Sequence, residues 1–211
     1  MTTPRDPRST RKVLRGSAWT VLLTVLPLSV GCASMSVQEQ VAVLVPDGVT
    51  VDVEESTYAV FGRTIPDIWD SLNERGPALG NRIVAGVHSW NLSWDMEWTR
   101  SADDCRVGGL EIVMSTEIMM PEWRQRVGAE QELQDHWDEF ERQLREHEEA
   151  HRGYALETVR DLHRTILAER GPDCQTVRDR ITAQTDVIMG RYEVLNSTLD
   201  DRSLLTWPPR R

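Results

Sequence analysis

The arrangement of hydrophobic and polar residues changes rhythm part-way along the chain. From Val41 to Gly62 apolar positions alternate: Val41, Val43 and Val45, then Val49, Val51 and Val53, then Tyr58 and Val60, with the turn signal Pro46-Asp47-Gly48 between the first two groups. A period of two predicts short strands. Thr64 then has the position of a helix cap, with Pro66 in the first turn, Ile68, Trp69 and Leu72 on one side, and Gly76-Pro77 as a stop. Alternation returns in Trp90, Leu92, Trp94, Met96 and Trp98, and again in Leu110, Ile112, Met114, Thr116 and Ile118, which predicts an antiparallel pair. His88 shares the parity of the tryptophan stripe and is assigned with it to a half-buried sheet face rather than to a ligand-stacking surface.

After Pro121 the period lengthens to that of a helix, and no proline occurs until Pro172. Leu133, Trp137, Phe140, Leu144, His147, His151, Tyr154 and Thr158 follow at steps of three and four, tracing one face. Gly171-Pro172-Asp173 ends that helix, and Val177, Ile181, Ile188, Leu195 and Leu199 mark a second one running back. The implied fold class is α+β, a small antiparallel sheet packed on a long antiparallel helical hairpin.

The first residues read differently. Arg5, Arg8, Arg11, Lys12 and Arg15 precede an apolar run from Ala18 to Val30, the layout of an export signal. Ser29-Val30-Gly31-Cys32-Ala33-Ser34 follows and resembles a bacterial lipobox, with Ser29 where leucine is usual. Cys32 would be the lipidated first mature residue; a simple secretory signal or a retained anchor helix is the alternative. The expected organisation is a lipoprotein signal over 1–31, a tether over 32–40, a domain over 41–206 and an irregular tail over 207–211. Localisation follows as exported, periplasmic or outer cell envelope, anchored to the membrane by lipid. Cys105 and Cys174 remain as an even pair in an oxidising compartment, where a disulfide is expected in preference to two buried thiols. Setting the signal aside moves the net charge from −10 to about −14, which argues against nucleic acid and anionic lipid as partners.

Candidate chemistry sits at His147-Glu148-Glu149-Ala150-His151. Residues four apart lie one above the other on a helix, so both imidazoles can reach one ion, and a Glu wedged between them can take a proton from an attacking water. The competing assignment is a pair of core histidines satisfied by carboxylates of the second helix. Both histidines fall on the apolar seam, where two imidazoles are costly unless partnered. A catalytic zinc takes three protein ligands. With the turn of the hairpin near Pro172, Glu193, Asp200 and Asp201 come opposite the two histidines. Glu157 is a rival at the spacing of metzincin-like sites, although Gly153 is one position early for the bend those sites use.

The pattern Tyr58-x-Val60-x-Gly62, Gly76-Pro77, a Trp-bearing strand, a cysteine-led strand ending Pro121-x-Trp123, and Trp137-x-x-Phe140-x-x-x-Leu144-x-x-His147-Glu148-x-x-His151 resembles the bacterial domain of unknown function 922 family. The similarity extends from about Tyr58 to Asp200. That resemblance implies a secreted, zinc-dependent protease with a zincin-like HExxH helix. In the family's pattern the second helix leads to a Tyr-Asp segment and Thr-x-His-Gly; here the matching residues are Tyr192-Glu193 and Thr198-Leu199-Asp200-Asp201. Asp200 therefore stands in the histidine's place as third ligand of Zn2+. The expected activity is hydrolysis of a peptide or amide bond, on a protein or on cell-wall peptide, with Glu148 as general base. The alternative is a non-catalytic envelope adaptor that retains a degenerate site.

Overall fold

A computed structural model describes residues 35–202. The signal segment, Cys32 and the 207–211 tail lie outside those residues. The elements are α1 (Val37–Leu44), β1 (Val49–Val60), α2 (Ile65–Arg75), β2 (Ala78–Leu79), β3 (Arg82–Ile83), β4 (Val87–Arg100), β5 (Cys105–Trp123), α3 (Gln131–Ala168), β6 (Arg170–Gly171) and α4 (Cys174–Arg202). The fold is α+β, with a mixed sheet and four helices among the described residues.

β5 is the centre of the sheet. β4 pairs with it antiparallel, as the two alternating runs predict, but β1 pairs with it parallel, Val49 opposite Ile112 through Val60 opposite Trp123. The expected all-antiparallel sheet is thus corrected to a mixed one. The chain leaves β1 through α2, the β2–β3 hairpin and β4, which gives it room for the crossover a parallel neighbour needs. The β1 run is also one twelve-residue strand rather than several short ones. The alternation of Val41, Val43 and Val45 predicts a strand; Val41 and Val43 instead lie in α1 and Val45 is its C-cap. Ser36 decides this: its hydroxyl accepts from the Glu39 N–H at 3.2 Å while Glu39 Oε2 accepts from the Ser36 N–H at 2.7 Å, a reciprocal capping box.

The second change of rhythm comes later than Pro121. β5 continues to Trp123, and α3 begins at Gln131. Ile112 and Arg124 both donate their N–H toward the β1 side, so by alternation the nitrogen of Pro121 faces the β4 side. β4 has already ended there, its last pair being Val87 with Met119, and the missing N–H breaks no ladder bond.

The N-terminal end of β5 is tied to the two long helices. β6 pairs with Cys105 and Arg106, and Cys105 is disulfide-bonded to Cys174 at the start of α4, with the Cα atoms 5.1 Å apart. Asp173 accepts from the Thr176 N–H at 2.8 Å and caps α4. Further along, α4 meets α3 and its C-cap through Gln184 Nε2 donating to the C-cap residue Glu169 at 2.6 Å and through an ion pair of Arg191 with Asp161.

The core is divided. One cluster holds Val51, Ile112, Met114, Ala155, Val159, Leu162 and Ile166, with the half-buried Trp90, Leu92, Trp94, Met96 and Trp98 packed on it. The other holds Val60, Ile118, Met120, Trp137, Phe140 and Leu144. Between them β5 and α3 carry polar residues at one level: Thr116 on β5, and Glu148, His151 and Arg152 on α3, all buried. A polar layer in a core is tolerated only when its members are partnered, so this is where chemistry is to be sought.

Candidate metal centre

α3 is unbroken through Gly153, so it presents His147 and His151 one turn apart and leaves them there. Their rings stand nearly perpendicular, 89° between planes and 4.6 Å between centroids, and their Nε2 atoms are 3.0 Å apart. Asp200 comes from α4 to meet both, its Oδ1 lying 3.0 Å from His151 Nε2 and 3.3 Å from His147 Nε2. These three atoms form a small triangle. Donors about 2.0–2.1 Å from one ion in a tetrahedral array are roughly 3.3 Å from one another, so the spacing fits a shared metal with slight expansion.

The orientation of one ring supports the same conclusion. His151 Nδ1 donates to Asn196 Oδ1 at 2.5 Å, and that amide is held the right way round because its Nδ2 donates to the Tyr192 carbonyl at 2.7 Å. With the proton on Nδ1, the Nε2 lone pair is left facing the Asp200 carboxylate and the His147 ring. Such an outer hydrogen bond is how ligand histidines are fixed in tautomer and orientation. Burial and the neighbouring His151 hold the His147 pKa below its ordinary value, which keeps that imidazole in the neutral, ligating form. His147, His151 and Asp200 thus make up a group able to hold a metal ion.

Glu148 is 4% exposed, deeper than the ligand-type residues around it. Burial raises its pKa to about 7, opposed by His151 and by the backbone N–H of His88. That value suits a group exchanging protons near neutrality. Arg152, one turn on, is equally buried and is paired with Glu149 and, at 3.8 Å, with Glu55 of β1. It anchors this turn of α3 to the sheet.

Glu193 lines the same cleft but stands outside the triangle, and Glu157 and Asp201 are exposed on their helices and stand outside it as well. Glu157 would need the chain to turn back after Gly153, which a continuous helix does not do. The cleft itself has a volume of about 590 Å3 and is bounded by α2, the β2–β3 hairpin, the start of β4, α3 and the end of α4.

A family model described as bacterial protein of unknown function, DUF922, matches residues 55–204. The chain belongs to this family. No curated protein and no solved structure matches it significantly. The match spans the whole of the site just described, from the strand that carries Glu55 to the end of α4 with Asp200.

The sequence pattern does not single out two residues at this site of the DUF922 protein. His88 does lie on the strand face its parity predicts, but it lines the cleft, and its Nε2 meets Thr116 Oγ1 at 2.7 Å. Burial, with the charges of His151 and Arg152, lowers its pKa to about 4. Asn196 carries no motif at all; its spacing of four from Asp200 on α4 is the one signal that could have placed it beside the histidines.

Proposed function

We propose that this chain is a zinc-dependent hydrolase of peptide or amide bonds in the bacterial cell envelope, with His147, His151 and Asp200 as the metal ligands and Glu148 as the general base. The supporting observation is the triangle of Nε2, Nε2 and Oδ1 together with the Asn196 bond that turns His151 toward it. The framework is a zincin-like helix in a helical hairpin. Glu169 with Gln184, Asp161 with Arg191, and His151 with Asn196 run down one helix as they run up the other.

Zinc bound there supplies a Lewis acid for the scissile carbonyl and acidifies water. The protein supplies the proton traffic and the positioning. Glu148 takes the proton from the attacking water and gives it to the departing amine, a role for which a carboxyl with a pKa about 7 is suited in both directions. The His88 N–H steadies its ionised state, and the apolar residues Phe140 and Leu144 in the cleft restrict water around it. Two imidazoles and a carboxylate also serve non-haem iron; the buried base beside them is a feature that hydrolysis uses. Export, a lipid on Cys32 and attachment to the envelope complete the proposal, on the strength of the N-terminal sequence alone.

The test combines elemental analysis with turnover. Purified protein should carry one zinc per chain and cleave either casein or purified cell wall, which separates a protease from a cell-wall amidase, and Glu148→Gln should keep the metal and lose turnover. Inertness on both substrates by the zinc-loaded parent would favour the adaptor alternative.

A further inference from the structure

One wall of the cleft is unlike the rest. Trp69 on α2, Leu79 on β2 and Ile83 on β3 are 45, 44 and 46% exposed, and all three line the same cleft as His147, Glu148 and His151. They are brought together by a local device. Gly76 ends α2, the Val84 N–H donates to the Pro77 carbonyl at 3.0 Å, and any side chain at Gly76 would collide with the Val84 carbonyl oxygen. The β2–β3 hairpin is thereby folded back beside Trp69, turning through Gly80 at φ +62°. Large apolar groups grouped at a concave site are where ligand side chains bind, with a few polar groups fixing orientation.

We infer that Trp69, Leu79 and Ile83 form an apolar side-chain subsite, which receives one bulky aliphatic or aromatic residue of a peptide lying across His147, Glu148 and His151. The inference rests on the hydrolytic reading only for the peptide nature of the ligand. The size of the cleft fits this occupant, because 590 Å3 accommodates a few residues of extended chain rather than the face of a folded partner. Charge fits it too. Glu148, Glu193 and Asp200 outnumber Arg82 among the carboxylate and guanidinium groups along the cleft and disfavour an acidic residue, whereas Trp69, Leu79 and Ile83 offer apolar surface.

The experiment uses the zinc-loaded Glu148→Gln variant of the full chain, immobilised and offered an equimolar mixture of blocked hexapeptides randomised at every position. Retained peptides are read by mass spectrometry. Leu, Ile, Phe and Met should be enriched about tenfold over Ser at one position, the low end of what filling an apolar pocket returns. The enrichment should vanish in Trp69→Ala and in Ile83→Ser, each checked for fold by circular dichroism and for zinc content, and persist in Val187→Ser on the exposed side of α4. Retention without positional preference, preference for charged residues, a preference that survives both wall substitutions, or no retention overturns the inference. The hydrolytic reading fails separately, when the apolar preference is present without zinc and the zinc-loaded parent cleaves no peptide in the mixture.

Discussion

Glu148→Gln should make the metal-free protein more stable, and increasingly so as pH rises. In the native state burial raises the Glu148 pKa from 4.5 to about 7. An acid whose folded pKa is raised binds more protons folded than unfolded between those values, so it lowers stability as pH rises through that window. The full penalty is about 3 kcal/mol, at about 1.4 kcal/mol per unit, and at 4% exposure solvent screens little of it. It amounts to about 1 kcal/mol at pH 5 and nearly the whole at pH 8. Glutamine has the same shape and no charge, so the substitution removes this penalty. His88 contributes with opposite sign, losing stability as pH falls from 6.5 toward about 4, but it is common to both proteins and cancels in the comparison. Urea unfolding in EDTA should show a midpoint for Glu148→Gln higher by about 1–2 M at pH 8 and by much less at pH 5. Equal midpoints at pH 8, or a larger gain at pH 5, would refute the assignment of Glu148 as a buried carboxyl strained by ionisation. Zinc should shrink the pH 8 difference, because a cation beside the carboxylate restores its ionised form.

Other outcomes follow from the same geometry. Asn196→Ala frees the His151 ring and should weaken zinc binding by roughly 10–100-fold in a chelator competition, and should cost the metal-free protein about 1–2 kcal/mol in urea unfolding because the buried Nδ1 proton loses its acceptor. Reducing the Cys105–Cys174 bond opens a 69-residue separation and should cost about 4 kcal/mol of unfolding free energy, read by urea titration with and without reductant. Gly62→Ala places a Cβ 2.6 Å from the Ile68 nitrogen at a backbone φ of +144°, and should lower stability by more than about 1 kcal/mol in a thermal melt.

Much of this was legible in the sequence because periodicity reports burial. The stripes on β4 and β5 and the seam of α3 each point one way, and the structure buries most of the β5 and α3 faces and half-buries that of β4. The candidate site was legible because two of its three donor residues are compressed into one helical turn, His147 to His151. What escaped was set by contacts that periodicity does not encode. The alternating valines at 41, 43 and 45 look like a strand, but a capping box one turn earlier places Val41 and Val43 in α1 and Val45 at its C-cap. The parallel pairing of β1 depends on where a crossover ends, which side-chain alternation leaves open. His88 and Thr116 obey the strand rhythm while facing a polar layer rather than the core, and only their partner across the sheet reveals it.

The proposed chemistry depends most on His147, His151 and Asp200 holding one metal ion between them. Zinc competition against a chromogenic chelator, on chelator-stripped protein, tests that directly. It should give one high-affinity site per chain in the parent, none in His147→Ala or His151→Ala, and a much weakened one in Asp200→Ala. A site of unchanged affinity after both histidines are replaced, or no binding by the folded parent, would contradict it.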